Sequence, residues 1–242
     1  MLNNHSEMIF WDHLEEFRWR LIKSISAIFF GALVAYHFAD LIMYWLILPT
    51  KSLRIDLNLQ VLKITSMFSI KLSIALFGGI IIALPIILYQ FWRFISPAFE
   101  NKYGLLVLLS IFFSSAFFLL GMCFAYFIII PFSLTFFTNL KSEIIEVGYN
   151  FTLDGYLIYL LWLIFGSGLL FQLPVVSIFF TKVGVLTPDF LREYRKFALI
   201  IFLILGAILT PPDPISQILI VFPLVLLYEL SIIISKIFKP KD

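Results

Sequence analysis

The stretch LLVLLSIFFSSAFFLLGMCFAYFIIIP, residues 105–131, decides the class of fold. It has 27 residues and no charged side chain, and a helix needs only roughly 20 apolar residues to cross a bilayer. In hydrocarbon every backbone N–H and C=O must be paired, so only helices and closed barrels span membranes. The stretch lacks the alternating pattern of barrel strands. It therefore predicts a transmembrane helix.

The composition of the whole chain agrees with a membrane protein. Hydrophobic residues make up 62% of the 242 residues, against roughly 45–50% in a soluble domain. Charged residues make up 13%, against roughly 25%, which is too few to cover so much apolar surface in water. The net charge of +2 gives no indication of nucleic-acid binding. A single cysteine, Cys123, excludes an internal disulfide and a cysteine-based zinc site. No metal or cofactor is expected.

Six apolar stretches predict an all-α membrane protein with six transmembrane helices. We expect one membrane domain over residues 1–242, with spans at 21–39, 67–91, 105–131, 156–181, 197–210 and 215–235. The fourth span contains Gly166, Gly168 and Pro174, and is expected to kink. The fifth span is about 21 Å long at 1.5 Å per residue. Because it is shorter than the bilayer core and a proline-rich turn follows, we expect short fifth and sixth helices.

Lysine and arginine are distributed unevenly between the two sides of the predicted bundle. The side that holds both termini carries 12 of the 17, and the other side carries five. The positive-inside tendency therefore predicts that both termini are cytoplasmic. The first 20 residues contain four acids and lack the basic start of a signal peptide, so no cleavable leader is expected. The two longer connections on the other side, 40–66 and 132–155, are expected to form a cap.

Residues 7–20 predict an amphipathic helix that lies in the membrane interface ahead of the first span. Leu14 and Phe17 fall on its apolar face, and Glu16 and Arg20 fall on the opposite face. Two interpretations of Glu16 are open. It forms an ordinary i,i+4 ion pair with Arg20, which contributes about 0.2–0.5 kcal/mol, or it is a carboxylate held at the membrane surface to bind a cationic ligand.

Six stretches of the chain resemble, in order, the motifs of one family. They are HLEEFRWRL at 13–21, PIILYQFWRFISP at 85–97, GMCFAYF at 121–127, FQLP at 171–174, LTPPDPISQ at 209–217 and PLVLLYE at 223–229. The family is TatC, the multi-span receptor subunit of the twin-arginine protein translocase. The resemblance implies a protein that is not an enzyme. It would bind signal peptides that carry two consecutive arginines and support export of folded proteins driven by the proton gradient.

The resemblance also implies partners and a location. The partners would be single-span TatA-like and TatB-like subunits, membrane lipid and further copies of the chain. The membrane would be a bacterial inner membrane, a thylakoid or a mitochondrial inner membrane. The alternative is a secondary transporter of a small solute, which Gln172, Glu229 and a kinked fourth helix would suit but no internal repeat supports. An intramembrane enzyme lacks a visible nucleophile–base or metal constellation.

Two carboxylates are implied for the signal peptide, because guanidinium groups form bidentate hydrogen bonds with carboxylates. Glu16 matches the first position of the family. The second position, in the loop after the second span, falls on Tyr103. We expect Glu100, three residues earlier, to replace it if the loop is helical; otherwise Glu100 is an ordinary loop charge beside Lys102.

Further side chains are expected around these carboxylates. Phe94 and Pro97 would shape the loop, and Arg18 would orient Glu16 or meet lipid phosphate. Like-charge repulsion makes direct contact between Arg18 and the signal arginines unfavourable.

Three polar residues lie within or beside the predicted spans. Gln172 either lines the face that contacts the signal or a TatA-like partner, or makes an interhelical hydrogen bond. Asp213 lies in the proline-rich turn, where it either contacts partners or only caps the sixth helix. A carboxylate at the bilayer centre costs at least roughly 2.5–3.5 kcal/mol. Glu229 is therefore expected to be protonated, paired or reached by water.

Overall fold

The computed structural model describes residues 3–52, 58–95, 104–139, 150–182, 184, 186–210 and 214–238. These residues are almost entirely helical. The helices are α1 (Asn3–His37), α2 (Ala39–Ser52), α3 (Ser66–Ile95), α4 (Gly104–Phe124), a π-helical segment (Ala125–Ile129), α5 (Ile130–Asn139), α6 (Leu153–Leu170), α7 (Leu173–Lys182), α8 (Pro188–Glu193), α9 (Arg195–Leu209) and α10 (Pro214–Phe238). Two short strands are β1 (Asn58–Gln60) and β2 (Asn150–Thr152).

Five helical stretches among the described residues are long and apolar enough to cross a membrane. They are His13–His37, Ser66–Phe94, Leu108–Thr138, Leu153–Thr181 and Gln217–Ile237. Large apolar side chains cover their outer surfaces; Phe29 is 60% exposed and Phe112 is 67% exposed. Such a surface is unfavourable in water by roughly 25 cal/mol per Å² but not in lipid. The predicted all-α membrane fold is confirmed, whereas the count of six spans and the cytoplasmic termini stay predictions.

The first helix differs from the expected arrangement. Helix α1 has 35 residues and continues without a break from the predicted interfacial helix into the predicted first span. The interfacial helix is therefore not a separate element. The reason lies in the sequence, because no proline or glycine occurs in α1 before Gly31 and nothing interrupts the i→i−4 hydrogen bonds.

The last two long helices differ in length. Helix α9 has 15 residues and is about 22 Å long, so it is short, as predicted. Helix α10 has 25 residues, and the expectation that it would also be short is wrong. Pro214 begins α10 at a position where a missing N–H is tolerated. Pro223 lies inside the helix without ending it.

The chain divides into two compact units. The first unit consists of Met1–Ala39 and Ile74–Ser115, and the second consists of Asp40–Ser73 and Ala116–Asp242. Helices α3 and α4 each contribute residues to both units. The single membrane domain over residues 1–242 stays a prediction.

In the first unit, α1 and α3 meet through small residues. A Cβ placed on Gly79 would lie 2.6 Å from the backbone N of Ala32, and a Cβ on Gly31 would lie 2.7 Å from the backbone O of Gly79. A Cβ on Gly78 would lie 2.7 Å from that of Ala35. Lipid is as apolar as leucine, so helices in membranes associate through such close packing. These residues set the distance between α1 and α3.

In the second unit, a proline in α2 removes a hydrogen-bond donor. Pro49 lies inside the helix and has no N–H for the carbonyl of Trp45. The hydroxyl of Tyr126 donates to that carbonyl, with an O···O distance of 2.8 Å. Tyr126 lies in the π-helical segment, which ends just before Pro131, a second residue without an N–H. Tyr126 thus replaces the hydrogen bond that Pro49 removes.

Helices α4 and α6 of the second unit are also closely packed. A Cβ on Gly121 would lie 2.7 Å from the backbone O of Ser167. The Ser167 hydroxyl donates to the buried carbonyl of Gly121 at 2.9 Å. Helix α6 ends at Leu170, and α7 begins at Leu173, one residue before Pro174. The break is the kink that the sequence predicts for the fourth span.

The two connections that were expected to form a cap are joined by strand pairing. Strands β1 and β2 pair in parallel, with Asn58 opposite Asn150. Thr152, the last residue of β2, accepts a hydrogen bond from the backbone N–H of Gly155 at 3.3 Å and caps α6. The strand pair therefore fixes the point at which α6 begins.

We expect Tyr126→Phe to lower the free energy of unfolding by about 1–3 kcal/mol, because the Trp45 carbonyl would lose its donor. Pro49→Ala restores a backbone N–H, so the double variant should recover most of that loss. Tyr36→Phe, at an exposed position of α1, is the matched control and should change little. Unfolding by titration with SDS in mixed micelles measures all four proteins. An equal loss in the single and double variants would contradict the substitution of one donor for the other.

Gly79→Ala tests the contact between α1 and α3. Alanine favours helix over glycine by about 1 kcal/mol, so any destabilisation must come from crowding against Ala32. We expect a loss of about 1–3 kcal/mol. The control is Gly206→Ala, where the nearest atom to the new Cβ would be the flexible Gln217 Cγ at 3.3 Å. The same titration compares the two, and equal stability of both variants would show that α1 can move aside.

Candidate functional site

The carboxylate of Glu16 is held by an arginine one turn later on α1. Arg20 donates from Nε to Glu16 Oε1 at 2.9 Å, and its Nη2 donates to the same oxygen. The Glu16 side chain is 32% exposed and that of Arg20 is 15% exposed. The ion pair that was one of the two interpretations of Glu16 is therefore present. Two N–H groups of Arg20 donate to the same carboxylate oxygen, Oε1.

The second oxygen of Glu16 is differently placed. Oε2 lies 3.9 Å from His13 Nδ1, which is longer than a hydrogen bond. Within the part of the chain that the structure describes, Oε2 accepts no hydrogen bond. Each carboxylate oxygen has two lone-pair sites. Oε2 therefore keeps its capacity to accept hydrogen bonds from a ligand.

The end of α3 lies beside this turn of α1 in the first unit. Arg20 Nη1 donates to Gln90 Oε1 at 3.5 Å. The rings of Phe17 and Phe94 pack with centroids 5.5 Å apart. Gln90 and Phe94 are one turn apart on α3, as Glu16 and Arg20 are on α1. The structure thus brings Phe94 of α3 against the turn of α1 that carries Glu16, and both residues were assigned to the site from the sequence.

Of the two roles expected for Arg18, orienting Glu16 is not observed, and contact with lipid phosphate stays a prediction. Its Nη2 lies 3.4 Å from Glu15 Oε1, and its side chain is 64% exposed. Its guanidinium also lies over the ring of Trp19, 5.9 Å from the centroid. Arg20, rather than Arg18, orients Glu16. The physical reason is helical spacing, because a residue two positions away lies on a different face and one four positions away lies on the same face.

Several predicted site residues lie outside the described residues. These are Pro97, Glu100 and Tyr103 in the connection between α3 and α4, and Asp213 between α9 and α10.

Gln172 lies at the break between α6 and α7. Its backbone N–H donates to the Leu169 carbonyl at 3.0 Å, and its own carbonyl accepts from Val176 at 3.0 Å. The side chain is half-buried. Gln172 therefore stands at the break between the two helices of the fourth predicted span.

Glu229 is paired, which is one of the three states expected for it. Arg195 Nη2 donates to Glu229 Oε2 at 2.8 Å, linking the start of α9 to α10. The neighbouring Tyr228 donates from its hydroxyl to the Leu191 carbonyl of α8 at 2.7 Å. Together the two bonds join α8, α9 and α10 at one level of the second unit.

Reasoning from the sequence found the pair of Glu16 with Arg20 but missed Gln90 and its hydrogen bond to Arg20. Gln90 belongs to the stretch PIILYQFWRFISP, but no role was assigned to it. A usable signal was present, because a polar amide at the end of an apolar helix needs a hydrogen-bond partner. Its partner depends on how α1 and α3 are rotated against each other. Local sequence patterns such as spacing and hydropathy do not determine that rotation.

Comparison with known proteins gives consistent results. Residues 12–223 match the family model TatC, Sec-independent protein translocase protein. The chain is 38% identical over 230 residues to the TatC protein of Aquifex aeolicus, covering 93% of this chain and 94% of that protein. It is 36% identical over 236 residues to TatC of Carboxydothermus hydrogenoformans, covering 97% and 96%.

The fold is similar to that of a solved structure, the crystal structure of the twin-arginine translocase receptor TatC. The TM-score is 0.81 at 37% sequence identity, and the match covers 93% of this chain and 99% of that chain. With five apolar helices and bacterial relatives, the protein is a multi-pass integral membrane protein of the bacterial inner membrane. It is a transport component rather than an enzyme. The chain belongs to the TatC family and is a component of the Sec-independent, twin-arginine protein translocase.

Proposed function

We propose that the protein is the receptor component of the translocase, with six spans and both termini in the cytoplasm. It binds twin-arginine signal peptides and assembles with single-span TatA-like and TatB-like subunits for export of folded proteins driven by the proton gradient. The observation that carries the proposal is Glu16 Oε2, a partly exposed carboxylate oxygen that accepts no hydrogen bond among the described residues.

The chemistry of Glu16 suits a guanidinium ligand. Charge-assisted hydrogen bonds from arginine to a carboxylate are short and about twice as strong as neutral ones. The lone pairs of Oε2 can accept two N–H groups from one incoming arginine, as those of Oε1 do from Arg20. Phe17, the residue after Glu16, packs on Phe94, and this apolar contact supports binding of the residues next to the arginine pair.

We assign the second carboxylate to Glu100. The support is the resemblance of the sequence, in which the family position falls on Tyr103 and the nearest acid lies one helical turn before it. In the sequence Glu100 follows the end of α3, and Phe94 and Pro97 lie a few residues before it. We assign these two residues to the same binding site. Two carboxylates on two segments of the chain would provide one acceptor for each signal arginine.

The partner surface in this proposal includes Gln172, Asp213 and Glu229. What supports it is the position of Gln172 at a helix break and of Glu229 in a partly exposed ion pair with Arg195. Polar and ionisable side chains within membrane spans rarely face lipid, and they are therefore candidates for functional contacts. Further copies of the chain are expected in the assembled complex.

We expect Glu16→Gln to lower capture of an Arg-Arg signal peptide at least about tenfold, because a hydrogen bond to a charged group contributes about 1.5–3 kcal/mol. The measurement is crosslinking of a labelled peptide to the purified protein, with a Lys-Lys peptide for comparison. Glu15→Gln is the matched control, since it changes the neighbouring exposed acid, and it should leave capture unchanged. Capture that is indifferent to Glu16→Gln would refute the assignment of this site.

Glu100→Gln should also reduce Arg-Arg capture, if Glu100 supplies the second carboxylate. The double change Glu100→Gln with Tyr103→Glu returns an acid to the position where the family has one, and it should restore capture. The same crosslinking assay reads both variants. Full capture by Glu100→Gln alone would make Glu100 an ordinary loop charge.

A further inference from the structure

Resting on the proposed function of Glu16, we propose that Arg20 and Gln90 are positioning residues that make Glu16 select arginine over lysine. Neither residue needs to touch the signal peptide. They act by fixing the Glu16 carboxylate and by neutralising its charge.

The hydrogen bonds of Arg20 show how the carboxylate is fixed. Three of its nitrogens are engaged: Nε and Nη2 with Glu16 Oε1, and Nη1 with Gln90 Oε1. The Arg20 side chain is less exposed than that of Glu16, whereas Arg18 on the next face is mostly exposed. Because Gln90 belongs to α3, the guanidinium plane is held from two helices. The Glu16 carboxylate, which accepts two hydrogen bonds from this guanidinium, is therefore held in one orientation.

Neutralisation of the charge follows from the same pair. Arg20 cancels the charge of Glu16, so an incoming cation gains little from net attraction. It must instead gain from directional hydrogen bonds to Oε2, which lies 3.9 Å from His13 Nδ1 and accepts no hydrogen bond among the described residues. A guanidinium offers a rigid planar fork of donors, whereas an ammonium is a compact and strongly hydrated point charge. A neutralised, fixed carboxylate therefore favours arginine.

Gln90 suits this arrangement because it is neutral. Its amide oxygen accepts from Arg20 Nη1 at 3.5 Å and does not compete with Glu16 for the positive charge. A carboxylate at position 90 would compete, since it would bind the guanidinium more strongly than an amide does. Gln90→Glu should then draw Arg20 away and leave Glu16 as an ordinary anion that attracts any cation.

The experiment measures the ratio of Arg-Arg to Lys-Lys peptide capture by crosslinking to the purified full-length protein. For Arg20→Gln we expect this ratio to fall about tenfold, chiefly because capture of the Lys-Lys peptide rises. Gln90→Glu should lower the ratio in the same direction while Arg20 is retained. Arg20→Lys, which keeps the charge but loses the fork, should give an intermediate ratio. Glu15→Gln is the control, and its ratio of Arg-Arg to Lys-Lys capture should equal that of the protein without substitutions.

The outcomes separate this inference from the proposed function. A purely structural role for Arg20 would lower capture of both peptides equally and leave the ratio unchanged, which would overturn the inference. If Glu16→Gln abolishes Arg-Arg capture while Arg20→Gln and Gln90→Glu keep the ratio, only the positioning role fails. If Glu16→Gln has no effect, the binding site itself is wrongly assigned. Should Arg20→Gln fail to fold, the Gln90→Glu ratio alone decides.

Discussion

A backbone carbonyl surrounded by hydrocarbon must find a donor, and much of the second unit is arranged around positions where proline takes one away. Pro49 leaves the Trp45 carbonyl open, and Tyr126 reaches it from a different helix. The π-helical segment that carries Tyr126 ends just before Pro131. Pro174 stands at the break between α6 and α7. Pro131 and Pro174 thus lie beside departures from regular α-helix, whereas at Pro49 the helix continues and a side chain from another helix supplies the missing donor.

The first unit depends on small residues for the same purpose. Gly31 and Gly79 allow α1 and α3 to approach until backbone meets backbone. The same two helices carry Arg20 and Gln90, whose side chains meet near the end of α3. A larger residue in the glycine contact would push the helices apart. The hydrogen bond from Arg20 Nη1 to Gln90 Oε1 is already 3.5 Å long, and a further increase would break it. The geometry around Glu16 is therefore set partly by glycines that lie well away from it.

Hydropathy and motif order were enough to predict the long apolar helices and the family, because lipid imposes a length and a composition on each span. The residues whose roles were missed depend on contacts between segments distant in the chain. Arg20 was recognised as a partner of Glu16 from its spacing, but its bond to Gln90 requires the rotation of α3 against α1. Arg18 was given the role of Arg20 by motif position alone. The full length of α10 was missed because the proline-rich turn after the fifth span was expected to shorten the helices on both sides of it, whereas α10 begins within that turn, at Pro214.

The parallel pairing of β1 with β2 has a consequence for biosynthesis. Parallel strands cannot be joined by a hairpin and need a crossover connection, and here the crossover contains α3, α4, the π-helical segment and α5. A growing chain makes β1 first and cannot complete the two-stranded ladder until all of these helices have been synthesised. Before Asn150 emerges, β1 has an edge without its native partner. Closure of this small sheet must therefore follow synthesis of the whole middle of the chain, from α3 to α5.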